Sequence, residues 1–407
     1  MSNISNRINR IAYIIPLFIV YMTVMQLQLL TPFISLALLF VLMMILLFVI
    51  DRKITSYPFF AWWLFSSAIV LLNGFMGDAY FSDIISSLSF IFYVAFSAIT
   101  LGYCVNRRES KLERAILISF FIAVVYLTIC TVIIDLSQPG VLRSATGLSF
   151  RGDPSLLSVL FLQGMSNYFL PHALPMLIPP LVMGIKNREL SKSLHIFLYV
   201  CLAAILALIY VSYATTPLLI AILFLILSII VKAGNIRRNI GKLTIVILLF
   251  APFILNNDFM LSFLQQVDTI TGGEGELHNK IGLFQEALVT GKATGDMEER
   301  FDLYNESANF LQSNWILGTN DKVGGHSVIL DTLASLGLIG FIPFILMIFK
   351  QIKYSLLFLP KSSYIYYYLG TAAGLLMFFS KGINTWEMWL VLFCILPLLT
   401  LRLSKNK

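Results

Sequence analysis

Charged side chains are scarce in this sequence. Asp, Glu, Lys and Arg make up 12% of its 407 residues, whereas 58% of the residues are hydrophobic. Soluble domains are about a quarter charged and about half apolar, so a water-soluble core is too small to bury this much apolar surface. The composition excludes an ordinary soluble domain. It predicts an all-α polytopic membrane protein in which the whole chain, 1–407, is a single integral membrane domain.

The signatures of several enzyme classes are also missing. The sequence has no Gly-rich phosphate-binding loop, no Ser-His-Asp signature and no His/Cys cluster at metal-ligand spacing. Its four cysteines lie in or at the ends of apolar runs, where they are expected to pack as small apolar residues. These absences indicate no cofactor. The first apolar run, from Ile11, is too long for a signal peptide and lacks a small-residue cleavage site, so we expect it to stay as a helix.

Twelve apolar runs are candidates for transmembrane helices, each of which needs about 20 apolar residues. They lie at 11–30, 33–50, 57–75, 83–104, 114–135, 155–185, 193–211, 214–232, 242–256, 326–350, 364–380 and 386–402.

The basic residues indicate how these spans are oriented. The net charge is +7, and most Lys and Arg residues form short clusters in every second connection, which is the pattern of the positive-inside rule rather than of a nucleic-acid-binding surface. It predicts that both termini are cytoplasmic and that no nucleic acid is bound. The opposite side then keeps only Arg143, Arg151, Lys280, Lys292, Arg300, Lys322 and Lys381.

Two outer connections are longer than a simple turn requires. They are a first periplasmic loop at 136–154 and a large periplasmic loop at 257–325, between the ninth and tenth spans. Loops of this length are usually functional or disordered. Helical spacing of apolar residues in the large loop predicts a short amphipathic helix on the outer bilayer surface. Its apolar face comprises Phe301, Tyr304, Ala308 and Leu311.

The sixth run, 155–185, is too long for one straight span and is rich in helix-breaking residues. These are Pro154, Gly164, Pro171, Pro175, Pro179 and Pro180. A broken helix survives at membrane depth only where protein or a wet cavity covers the freed backbone. The segment therefore either lines a cavity or is a merely kinked helix. His172 accordingly either lines that cavity or is buried against a freed carbonyl.

Candidate polar groups cluster around the end of the large loop. Arg300 opens the amphipathic stretch, and its guanidinium suits phosphate oxygens; the alternative is an interfacial arginine that contacts lipid headgroups or neighbouring glutamates. His326 stands where the chain re-enters the membrane, and histidine handles protons near neutral pH. Asp331 lies one turn inside the apolar run and shares a helix face with Ser327. The alternative for this group is a helix-capping polar cluster.

The order of these features resembles the O-antigen polymerase/ligase superfamily, which includes the Wzy-type polymerases and the WaaL-type ligases. The resemblance rests on an arginine in a large outer loop, the Trp315-Ile316-Leu317-Gly318 stretch, and the run from His326 through Leu336-Gly337-Leu338-Ile339-Gly340. In hydropathy layout it covers most of the chain, but at the level of residues it covers only about 300–340.

The resemblance implies a glycosyltransferase of the bacterial inner membrane that works on the periplasmic face. Its donor would be an oligosaccharide linked to undecaprenyl pyrophosphate, and a polysaccharide chain-length regulator would be a partner. By this resemblance His326 and Arg300 are the catalytic residues, and no metal is expected. Asp331, Lys381 and His172 are further candidates to bind the pyrophosphate or the glycan.

One departure from the family pattern concerns its second arginine. The stretch that should carry it reads Ser212-Tyr213-Ala214-Thr215-Thr216-Pro217 and contains none. Arg151 or Arg143 of the first outer loop is the candidate replacement, and Arg151, which leads into the broken segment, is preferred.

Two other functions compete with the polymerase. An O-antigen ligase would use the same chemistry to transfer polysaccharide to lipid A-core. A flippase or transporter for lipid-linked oligosaccharides belongs to a different class and should show two similar halves. The single large loop, in the last third of the chain, argues against such symmetry.

Overall fold

The computed structural model is all-helical over the residues that it describes. These are 13–24, 59–76, 81–108, 110–143, 159–232, 234, 239, 241, 257–270, 275–290, 296–319, 323, 325 and 327–404. The helices are α1 (Ile14–Val24), α2 (Phe60–Met76), α3 (Phe81–Asn106), α4 (Ser110–Ser137), α5 (Leu170–Ala173), α6 (Ile178–Lys186), α7 (Lys192–Val211), α8 (Thr215–Ile230), α9 (Asn257–Ile270), α10 (Gly275–Thr290), α11 (Asp296–Asn314), α12 (Val328–Leu356), α13 (Tyr364–Ser380) and α14 (Trp386–Ser404).

Five stretches among the described residues are long and apolar enough to cross a membrane. They are Ser89–Asn106 of α3 and the whole of α4, α7, α12 and α14. This architecture is that of a helical membrane protein. The predicted spans at 33–50 and 242–256 lie outside the described residues, so the count of twelve spans and the cytoplasmic termini stay predictions.

The outer surface of the bundle carries exposed apolar side chains. On α4, Ile122, Ile129, Ile133 and Leu136 are all more than half exposed. They repeat at helical spacing, so they form one stripe, while the other face of α4 packs against α1 and α7. Such a stripe is unfavourable in water and is expected where lipid is the solvent.

The centre of the bundle is α14, which is buried along almost its whole length. Trp389 packs against Phe90, Phe344 and Phe378, which come from α3, α12 and α13. One turn of π-helix, Val391–Ile395, interrupts α14. The aromatic ring contacts fix the start of α14 relative to three other helices.

The segment 155–185 is a broken helix where it is described. A helical turn at 159–162 is followed by irregular backbone, then α5, a 3₁₀ turn (Leu174–Leu177) and α6. Pro171, Pro175 and Pro179 each fall in the first turn of one of these pieces, where the missing N–H removes no hydrogen bond. Residues 170–184 are all buried. Packed protein therefore covers the freed backbone.

Helices α9, α10 and α11 occupy the range predicted as the large loop. We call the end of the bundle to which α11 attaches the large-loop end. It also holds the connections around residues 140, 167, 213 and 381, whereas the connections around residues 108, 188, 232 and 360 lie at the opposite end.

Candidate functional site

The segment 315–319 docks onto a break in α12. Gly337 has φ 58° and ψ −171°, which no α-helix accommodates, so α12 is two helices joined at this residue. The break frees two N–H groups. Leu338 N donates to Trp315 O (3.0 Å) and Ile339 N donates to Ile316 O (3.2 Å). In return, Thr319 N donates to Ala334 O (3.2 Å). The loop thus completes the hydrogen bonds that the break exposes, as membrane helices require.

Two glycines make this docking possible. Gly318 has φ 75°, and a Cβ atom there would lie 2.6 Å from Gly337 N and still nearer to Ser335 O. A Cβ atom on Gly337 would collide with the backbone of Ile316 and Gly318. The two chain segments therefore approach backbone to backbone, which only glycine permits.

The Asp331 carboxylate links three parts of the chain. Its Oδ2 atom accepts hydrogen bonds from the N–H groups of Gly325 and Ser327, both at 3.0 Å. Its Oδ1 atom accepts a hydrogen bond from the Ser307 hydroxyl of α11 at 2.9 Å. Ser327 is the N-cap of α12, because its hydroxyl accepts from Leu330 N. The two residues that flank position 326 are thus fixed by one carboxylate.

The connection between α13 and α14 contacts both α11 and the start of α12. The Tyr304 hydroxyl of α11 donates to Ser380 O (3.3 Å), and Val328 N donates to Lys381 O (3.3 Å). The Lys381 ammonium lies within electrostatic range of the His172 imidazole. The start of α12, α11, Lys381 and the broken segment therefore meet at the large-loop end.

His172 is fully buried in α5. Its Nδ1 atom lies 2.9 Å from Tyr168 O, so Nδ1 carries the proton and Nε2 is an acceptor in the neutral ring. Nε2 has no hydrogen-bond partner among the described residues. The sequence leaves two interpretations of His172, a residue that lines a cavity or a buried histidine bonded to a freed carbonyl. The contact with Tyr168 O matches the second.

A buried acid is linked to the start of the helix that carries this histidine. Glu387, in the first turn of α14, accepts a hydrogen bond from Asn167 Nδ2 at 2.5 Å. The Asn167 Oδ1 atom accepts from Leu170 N (2.7 Å) at the start of α5. The pair therefore sets the position of the helix that carries His172. Thr385 Oγ1 and Trp386 Nε1 are also buried without a partner among the described residues.

Arg143 contacts the turn formed by Ser212–Pro217. Its Nη1 atom donates to Tyr213 O at 3.1 Å. Tyr213 has φ 50°, and its hydroxyl donates to Asp135 Oδ2 (3.4 Å) at the end of α4. A guanidinium from the first outer loop thus lies against the Ser212–Pro217 turn.

Three of the predicted site residues are only partly described or lie outside the described residues. Arg300 belongs to α11, seven residues before Ser307, so by helical periodicity the two positions share a face; its side chain lies outside the described part of the chain. His326 and Arg151 lie outside the described residues. Asp331, Lys381 and His172 are brought to one region, and Arg143 contacts a neighbouring turn.

Asn167, Ser307 and Glu387 are not among the predicted site residues. A carboxylate inside an apolar run often indicates a functional site, and Glu387 could have been predicted on this basis. Its neighbours, two tryptophans, favour an aromatic belt instead. Asn167 and Ser307 give no signal, because their roles arise from contacts with residues far away in the sequence.

Comparisons with family models, with curated proteins and with solved structures find no match to this chain. Among the described residues, no three His, Cys, Asp or Glu side chains are grouped closely enough to hold a metal ion.

Proposed function

We propose that the chain is a Wzy-type O-antigen polymerase. It would join oligosaccharide repeats linked to undecaprenyl pyrophosphate on the periplasmic face of the inner membrane. The observation that carries the proposal is a set of buried polar atoms without hydrogen-bond partners among the described residues, on His172, Thr385 and Trp386, at the large-loop end. Buried polar groups are nearly always paired, so such a set indicates a polar ligand or ordered water.

The proposed reaction transfers one glycan to another. An acceptor hydroxyl oxygen attacks the anomeric carbon of the donor sugar and forms the new glycosidic bond. The bond from that carbon to the pyrophosphate oxygen breaks, and its electron pair leaves with undecaprenyl pyrophosphate. The hydroxyl proton passes to a base. Such a reaction needs a base near the acceptor and fixed positive charge near the leaving group.

We assign the base to His326. The N–H groups on both sides of position 326 are bound by Asp331, and Asp331 is bound in turn by Ser307 of α11. A base held between two fixed backbone points loses little freedom on binding the acceptor. Asp331 in this scheme is a positioning residue.

We assign the positive charge to Arg300 and Lys381. Position 300 lies on the face of α11 that carries Tyr304, which contacts Ser380, next to Lys381. An arginine offers two parallel donors to phosphate oxygens, and a lysine adds a point charge. Of the two candidates for the second arginine of the family pattern, only Arg143 lies among the described residues. Its side chain contacts the turn at Tyr213.

A groove on α11 suits the glycan. It has a volume of about 590 Å³ and is lined by Asp302, Asn305, Glu306, Asn309 and Phe310. Carboxylates accept hydrogen bonds from sugar hydroxyls and amides both accept and donate them, while an aromatic ring covers the apolar face of a sugar. By helical periodicity the groove lies on the face of α11 opposite to position 300, so we assign it to a part of the glycan distant from the reacting sugar.

The test is complementation of a chromosomal deletion, with the surface polysaccharide separated on a gel. Wild type should restore a ladder, whereas His326→Ala and Arg300→Ala should leave a single repeat on the core at equal membrane abundance. His278→Ala is the matched control, since this exposed histidine in α10 binds only Asp268 among the described residues and lies outside the proposed site.

Other outcomes of this experiment would replace the proposal. Polysaccharide that accumulates on undecaprenyl and never reaches the core indicates the ligase. A normal ladder from both variants would show that the assigned site is wrong and would favour a flippase.

A further inference from the structure

A second cavity lies at the opposite end of the bundle. It has a volume of about 570 Å³ and is formed where α6 and α8 end, where α13 begins and where α14 ends. Its polar lining includes Lys186, Asn187, Arg188, Lys232, Ser362 and Tyr366. It is separated from the large-loop end by the length of the helices. The proposed reaction does not use it.

The inner wall of this cavity is held in place by hydrogen bonds. Lys186 Nζ donates to three carbonyl oxygens at the end of α8: Ser228 O (2.9 Å), Ile229 O (2.6 Å) and Val231 O (2.9 Å). The Tyr366 hydroxyl of α13 donates to Val231 O (3.0 Å). A lysine that binds the last carbonyls of a helix stabilises that terminus. The wall is therefore a fixed structure that links α6, α8 and α13.

Two cations at the cavity are available to a ligand. Arg188 and Lys232 are exposed, and neither forms an ion pair with a carboxylate among the described residues. Glu189 is the one acidic side chain in the lining, so three basic residues face one carboxylate. The cavity carries a positive charge that suits a phosphate group.

The border of the cavity is apolar. Ile229 lines it and is 58% exposed, and Ile226, one turn earlier on the outer face of α8, is 46% exposed. A soluble anion would gain nothing from these side chains. A ligand with a phosphate headgroup and acyl chains would contact both the cations and the apolar border.

We propose that this cavity binds the headgroup of an anionic phospholipid. Basic pockets between helices on the cytoplasmic side recognise such headgroups, and the distribution of Lys and Arg predicts that this end faces the cytoplasm. The headgroup phosphate contacts Arg188 and Lys232, and the acyl chains lie along Ile226 and Ile229 of α8. The inference does not depend on the proposed polymerase activity.

Native mass spectrometry of the full-length protein from detergent tests this site. The probes are phosphatidylglycerol, the zwitterionic phosphatidylcholine and inorganic pyrophosphate. Wild type should retain phosphatidylglycerol in preference to phosphatidylcholine. The double variant Arg188→Gln/Lys232→Gln should retain it about thirtyfold more weakly, since each basic residue contributes about fivefold.

The matched control is Lys350→Gln/Lys353→Gln, which removes two cations from α12 at the same end but away from the cavity. It should bind phosphatidylglycerol as wild type does, and so should the charge-conserving Arg188→Lys/Lys232→Arg, which separates charge loss from misfolding. Equal weakening in both glutamine pairs, or no preference for phosphatidylglycerol, would overturn the proposal. Binding of pyrophosphate that displaces the lipid would assign the cavity to a soluble phosphate instead.

Discussion

The contact between Gly318 and Gly337 can be broken by a single methyl group. In Gly318→Ala the new Cβ atom would lie 2.6 Å from Gly337 N and nearer still to Ser335 O, closer than real Cβ atoms come to other atoms. The neighbours are backbone atoms on both sides, so no side chain can rotate away. The expected result is that the segment 315–319 separates from the break in α12.

The size of the effect follows from three hydrogen bonds. They are donated by Thr319, Leu338 and Ile339, and each contributes about 0.5–1.5 kcal/mol, so their loss totals about 1.5–4.5 kcal/mol. Alanine at a positive φ adds about 1–2 kcal/mol of strain. Gly140→Ala provides a control for that strain, because Gly140 has φ 76°, against 75° for Gly318, and a Cβ atom at Gly140 would meet nothing within 4 Å.

Hydrogen exchange in lipid nanodiscs measures this difference. The amides of Leu338 and Ile339 should exchange about ten- to a thousandfold faster in Gly318→Ala than in Gly140→Ala, given about 1.4 kcal/mol per factor of ten. In the complementation assay, Gly318→Ala should also shorten or abolish the ladder, whereas Gly140→Ala should not. Equal exchange in the two variants would refute the reasoning that the loop holds the broken helix together.

Three further substitutions test the contacts around the site. Asp331→Asn replaces one carboxylate oxygen by an NH₂ group, so the side chain can no longer accept hydrogen bonds from Ser307, Gly325 and Ser327 together. Protease cleavage near residue 325 should become faster by an amount equivalent to about 1–3 kcal/mol, and Asp331→Glu should restore part of the resistance to cleavage. Glu387→Ala leaves Asn167 Nδ2 buried without its acceptor and should lower the melting temperature in detergent. Glu387→Gln should melt closer to wild type, and an alanine variant that melts at the wild-type temperature would contradict this expectation. Arg143→Ala should reduce polysaccharide length more than Arg143→Lys, because only arginine offers a second donor beside the Tyr213 contact, and identical ladders would remove Arg143 from the site.

Apolar runs locate the helices well because a membrane helix is a local feature of the sequence. Its backbone bonds are internal and its side chains must be apolar, so hydropathy alone predicts it. Hydropathy does not predict the break at Gly337, because the run 326–350 has the pattern of one span. A single glycine is common in membrane helices, and the partner that makes this one structural, Gly318, lies outside the run.

The site is harder to predict than the helices because it depends on contacts between distant parts of the chain. The sequence favours Arg151 over Arg143 for the second arginine, and Arg151 lies outside the described residues, so that preference stays a prediction. The Arg143 contact with Tyr213 joins two turns that are 70 residues apart. The Asn167–Glu387 pair joins residues that are 220 apart. Neither spacing leaves a pattern in a single sequence.

The capping and the functional interpretations of Asp331 are compatible. Ser327 caps α12 through Leu330 N, and Asp331 accepts in return from the N–H of Ser327, which is the reciprocal pattern of a capping box. Asp331 also binds Gly325 and, through Ser307, a separate helix. A carboxylate used only as a cap would not make these two further contacts. The contact with Ser307 of α11 couples the helix that carries Arg300 to Gly325 and Ser327, and the proposed transferase would need such a coupling between its leaving-group clamp and its base.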